Sequence, residues 1–125
     1  MRQMMRALRS YLVALKASSR LGRAYRLRNK GQKREALAIA NDGLKILSSS
    51  VVKRQNPAEG SALVCLTILV EELSSELQQP GASMYDLMDT LNLIKNLPAE
   101  SSGDLQNMKA WVPYLEAKTG NAPSV

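Results

Sequence analysis

The sequence predicts an all-α fold, a compact bundle of about five helices, on three observations. Apolar residues recur at spacings of three and four along most of the chain, the period of a helix with one buried side. No stretch alternates apolar and polar residues long enough to form a strand. Helix-capping residues, Pro and Gly punctuate the periodic runs at Gly31, Asn56-Pro57, Pro80-Gly81 and Pro98. A length of 125 residues fits one domain, residues 1–125, and 45% hydrophobic with 22% charged residues is ordinary for a globular protein. With no Phe and a single Trp, the core must be built from Leu, Ala, Ile, Val and Met.

The first element runs from Arg2 to about Asn29. Met4, Leu8, Tyr11, Leu15, Ser18, Gly22 and Tyr25 share one side of it, which is expected to face the core. The opposite side reads Arg2, Arg6, Arg9, Val13, Lys16, Arg20, Arg23, Leu27 and Lys30, mostly basic. One helix, or two collinear helices broken near Ser18-Ser19, fits equally well. Gly31 stops the run. The second helix covers about Lys33 to Leu47, with Ala36, Leu37, Ala40, Leu44 and Leu47 inward, and the polar connector 48–56 follows. Asn56-Pro57-Ala58-Glu59 opens the third with an Asn cap, Pro at the first helical position and Glu placed to bond back to the cap. That helix, to about Leu77, is apolar over a wide arc and is expected to be central.

Ser83 to Asp86 caps a fourth helix, with Leu87, Met88, Leu91, Ile94 and Leu97 toward the core. Ser101 to Asp104 caps a fifth, with Leu105, Met108, Val112 and Leu115 inward. Pro113 should kink or split that helix, because its nitrogen has no proton to donate to the preceding turn. The tail, residues 119–125, is expected to fray.

Within this plan, Leu21-Gly22 followed by Tyr25, then Glu35-Ala36, Ala40, Gly43-Leu44 and Leu47, resembles a tetratricopeptide repeat over residues 18–48. The resemblance implies a helical hairpin in which Gly22 and Ala40 sit where the two helices cross closely. Three features depart from the family pattern: Ser18 replaces the usual aromatic, the turn Lys30-Gly31-Gln32 is longer, and Ser48 stands where a proline is expected. No second copy of the pattern occurs in residues 58–118, which implies one hairpin rather than an array. Any tightly packed helical hairpin would use Gly, Ala and Tyr in the same way.

The chemistry available is narrow. With no histidine, the commonest general base and metal ligand is missing. Cys65 lies in an apolar run, where a thiol serves as a small buried hydrophobe with no imidazole to activate it. The glycines are scattered singly, so no phosphate-cradling loop is present. Glu71, Glu72 and Glu76 form the densest carboxylate group and are expected to be solvated helix surface or ion-pair partners of the basic half. No enzyme, no metal and no cofactor is expected. The longest nearly apolar run, Ala62 to Val70, is about half what a membrane-spanning helix needs, and a cytoplasmic location is expected.

Charge points toward binding. Residues 1–54 carry fourteen Lys or Arg against Glu35 and Asp42, and the acidic residues gather in the remainder. Such polarity marks an acidic partner or internal pairing of the two halves. The expected function is a protein-binding module: an adaptor, a chaperone, or a dedicated inhibitor such as an immunity protein that caps a toxin. It would dock an acidic surface through Arg9, Lys16, Arg20, Arg23 and Lys30. Trp111, beside Pro113, is either a core residue or a further interface anchor. The alternative partner is nucleic acid or the ribosome, although few aromatics interleave with the cations for base stacking. A membrane-surface or targeting helix would also use an Arg-rich stretch without acid.

Overall fold

The computed structural model describes residues 2–48, 57–96 and 103–120, and every regular element in them is helical. The helices are α1 (Arg2–Asn29), α2 (Lys33–Ser48), α3 (Pro57–Leu77), α4 (Met84–Lys95), α5 (Gly103–Asn107) and α6 (Val112–Thr119). The first four answer to the four predicted, with α1 unbroken through Ser18-Ser19. The fifth predicted helix is split. A 3-10 turn, Met108–Trp111, separates α5 from α6, and Pro113 sits in the first turn of α6, where a missing N–H costs no hydrogen bond. The Asn56 cap, Leu97, Pro98, the Ser101-Ser102 start signal and residues 121–125 lie outside the described residues. So do the side chains of residues 2–7, 10, 48, 57–60, 104 and 105.

The chain divides into two compact units, residues 1–81 and 82–125. In the first, α1, α2 and α3 pack pairwise on one another. The α1–α2 turn follows from Gly31, whose φ of +83° only glycine adopts freely. The Gln32 N–H donates to the Leu27 carbonyl at 2.9 Å and the Gly31 N–H to the Arg28 carbonyl at 2.9 Å, the paired bonds that close a helix on a left-handed residue. α3 ends by the same device before Pro80 is reached. The Gln79 N–H donates to the Ser74 carbonyl at 2.9 Å, but the left-handed position is held by Gln78, at φ +56°.

The core of this unit has a lopsided size distribution. Among its described side chains, α1 contributes only Ala14, Ala17 and Ala24 as fully buried ones. α2 contributes Ala36, Leu37, Ala40, Leu44 and Leu47, as expected. α3 is buried from Ala62 to Ser74 almost all round, leaving a strip through Ser61, Cys65, Glu72 and Glu76 in reach of solvent. Cys65 is therefore half-buried, not the buried hydrophobe its apolar neighbours suggested.

This arrangement corrects the expected orientation of α1. Leu8, Tyr11, Leu15 and Ser18 are exposed, not inward. The alanine stripe on the other side faces α2 and α3, because small side chains let helix axes approach closely. Gly22 is not the point of closest crossing either. A Cβ there would meet nothing nearer than Nη1 of Arg26, on its own helix, at 3.8 Å. The tight contact is at Gly43 of α2, where a Cβ would lie 2.8 and 2.9 Å from the Leu66 methyls of α3 and 3.4 Å from the Arg20 Cβ of α1.

In the second unit α4 packs on α6. The Asp86 N–H donates to Ser83 Oγ at 3.2 Å, which starts α4 where the cap was predicted. Leu87, Thr90, Leu91 and Ile94 form its buried line, joined by Leu115 of α6. Met88 is exposed, contrary to expectation, since it stands about 100° around the helix from Leu87.

Candidate docking surface on the first helix

The geometry of α1 sorts the basic residues of the sequence into two classes. Two cations at the α1–α2 junction are used inside the fold. Arg28 reaches Glu72 of α3 at 3.1 Å and lies 5.0 Å above the Tyr25 ring. Lys33, at the start of α2, reaches Glu76 of α3 at 2.9 Å. Internal pairing of basic and acidic halves, one of the two readings of the charge asymmetry, is realised here and within the first unit. The pairs are a third to a half exposed, so each contributes little to stability.

The cations singled out from the sequence lie elsewhere. Arg9, Lys16, Arg23 and Lys30 are exposed, and Arg20 is half-buried against the Gly43 contact. None of the five has an ion-pair partner among the described residues. Their spacing of seven carries Arg9, Lys16 and Arg23 along one edge of α1, with Lys30 in the turn just beyond its end. Val13, Arg20 and Leu27, also seven apart, form the half-covered border between that edge and the buried alanines. What looked like one basic side is thus an exposed basic edge beside a partly packed one.

Next to the basic edge, on the side facing away from α2 and α3, lies an apolar strip. Leu8, Tyr11, Leu12 and Leu15 are 59%, 54%, 47% and 48% exposed. They account for four of the seven large hydrophobic side chains exposed among the described residues. Among the described side chains of α1, Leu8, Arg9, Tyr11 and Leu12 are exposed, and Ala14 is the first that is buried. The four apolar side chains are exposed because they point away from the buried alanines, Ala14, Ala17 and Ala24, on the opposite side of the same helix. Sequence periodicity found these side chains but assigned them to the core. Leu12 fell on neither side of the predicted pattern, and the clue to it was the second, all-alanine stripe on the same helix.

Trp111 belongs to the second unit. It is half-buried in the 3-10 turn, with its ring edge-on to Tyr114 at 5.4 Å and 87°. Lys118 lies 5.7 Å from the Tyr114 ring centre. Among the carboxylates, Glu71 is buried with its carboxyl against the Gly81 backbone, while Glu72 and Glu76 are the ion-pair partners already described. Among the described residues, no three Cys, Asp or Glu side chains converge as metal ligands, and no helix is long and apolar enough to cross a membrane.

Comparison of the chain with protein-family models, curated proteins and solved structures finds no match, so the surface must be read from its own chemistry.

Proposed function

We propose that the protein is a non-enzymatic binding module that docks an acidic partner protein through the exposed basic edge of α1, as an adaptor, chaperone or dedicated inhibitor does. In this reading the α1–α2 hairpin is a tetratricopeptide-like scaffold and the N-terminal half of α1 is the recognition element. One observation carries the proposal. The fold pairs Arg28 and Lys33 with α3 but leaves Arg9, Lys16, Arg23 and Lys30 exposed and without ion-pair partners among the described residues. Like charges three and four residues apart, as Lys16, Arg20 and Arg23 are, gain the folded chain nothing, and an opposed acidic surface is what turns them into an advantage through faster, better-oriented encounter.

The test is the triple change Arg9→Gln, Lys16→Gln and Arg23→Gln, which spares the half-buried Arg20. Thermal stability should stay equal or rise slightly, since repulsion along the edge is relieved. Association with the partner that copurifies from native cells should slow by about tenfold or more and lose most of its salt dependence. A destabilised variant with unchanged association would sink the proposal. Binding of a generic duplex DNA or RNA with a steep salt dependence, abolished by the same change, would favour the nucleic-acid alternative instead.

A further inference from the structure

The apolar strip beside the basic edge is larger than electrostatic docking requires. Leu8, Tyr11, Leu12 and Leu15 stand at i, i+3, i+4 and i+7, the spacing by which one helix presents anchors to a groove. They occupy about two turns, and the strip is flanked along one edge by Arg9, Lys16 and Arg23. The other edge carries the uncharged Ser18 and Tyr25. No acidic residue occurs in the first 34.

We propose that Leu8, Tyr11, Leu12 and Leu15 seat in an apolar groove of a partner protein, whose rim carboxylates along one side meet Arg9, Lys16 and Arg23. This rests on the protein-docking reading above and adds the shape and apolar character of the partner's site. Charge complementarity selects the occupant. A second copy of the chain would bring its own basic edge to the contact, and like charges would oppose it. A membrane-surface helix needs a longer apolar face with cations toward both headgroup-facing margins. Here the described strip is charged along one side and backed by the alanine stripe that is already packed on α2 and α3. Because Leu8, Tyr11, Leu12 and Leu15 lie on the side of α1 opposite the buried alanines, a groove can close over them without parting α1 from α2 or α3.

The probe for this chemistry is the isolated C-terminal lobe of calmodulin. With calcium its helices open an apolar, Met-rich groove rimmed by carboxylates, and without calcium the groove closes while the acidic surface stays. The full chain should bind the calcium-loaded lobe about tenfold or more tighter than the calcium-free lobe. Leu8→Gln with Leu12→Gln should weaken the calcium-loaded complex by about thirtyfold or more and leave the melting curve unchanged, since both side chains are exposed in the free protein. Arg9→Gln with Lys16→Gln and Arg23→Gln should lower the association rate and its salt dependence instead. Equal binding to both forms of the lobe, insensitive to the leucine changes, would overturn the groove while leaving charge-driven docking intact. Failure to bind either form would overturn the groove outright. Leucine-dependent binding to phosphatidylcholine vesicles only when they contain phosphatidylglycerol, with no binding to the lobe, would assign the strip to lipid and overturn both readings.

Discussion

The same substitution, glycine to alanine, should have opposite effects at two positions of the α1–α2 hairpin. Each replacement within a helix gains up to about 1 kcal/mol from backbone entropy and helix propensity. At Gly22 nothing opposes that gain, because the new methyl group would meet only Nη1 of Arg26 at an ordinary 3.8 Å. Gly22→Ala should therefore stabilise the protein by about 0.5–1 kcal/mol. At Gly43 the methyl group would arrive 2.8 and 2.9 Å from both Leu66 methyls. Leu66 is fully buried, so its methyls can give way only by pressing on their own neighbours. Overpacking of this kind costs about 1–3 kcal/mol, so Gly43→Ala should be destabilising by up to about 2 kcal/mol after the propensity gain. Leu66→Ala alone should cost about 2–5 kcal/mol by leaving a cavity. Combined with Gly43→Ala it should cost less than the sum of the two, with a coupling of about 1 kcal/mol or more, because the removed methyls are the ones the new Cβ strikes. Urea melts of the four proteins, read with a common slope, measure all these values. If Gly43→Ala stabilises as much as Gly22→Ala, or if the double mutant is additive, the close approach of α2 to α3 at Gly43 is refuted.

Gln78 holds a left-handed conformation at the end of α3, which costs an L residue about 1 kcal/mol; Gln78→Gly should raise the urea midpoint, and a lower midpoint would refute the assignment. The Arg28–Glu72 pair, a third exposed on each side, should show a coupling of no more than about 1 kcal/mol in a double-mutant cycle between Arg28→Ala and Glu72→Ala. In the second unit, Leu115→Ala should cost about 2–5 kcal/mol in chemical denaturation, whereas the exposed Met88→Ala should stay within about 0.5 kcal/mol. Similar losses for the two would mean that the buried line of α4 has been misassigned.

The helices themselves were legible because their signals are local. Gly31 at a positive φ, Pro57 at a helix start, the Ser83 cap and the break ahead of Pro113 depend on a few neighbouring atoms, and each acts in the structure as the sequence implies. The inward residues of α2 and most of those of α4 were legible too, since each of these helices has a single apolar side and burying it leaves no choice. α1 has two. One bears Leu8, Tyr11 and Leu15, the other Ala14, Ala17 and Ala24, and both repeat with helical period. Residue size favours the first as the core. Tertiary packing buries the second, because α2 brings Ala36, Ala40 and Gly43 and α3 brings bulky Leu66 into the gap they leave. Large side chains on one helix and small ones on another pack as one layer, and that complementarity is a property of the set of helices, invisible along any one of them. The candidate site follows from the same choice. The sequence alone determined that α1 is basic, free of acid and amphipathic. Only the packing of three helices decided which apolar side faces water, since periodicity marks a face but not what covers it.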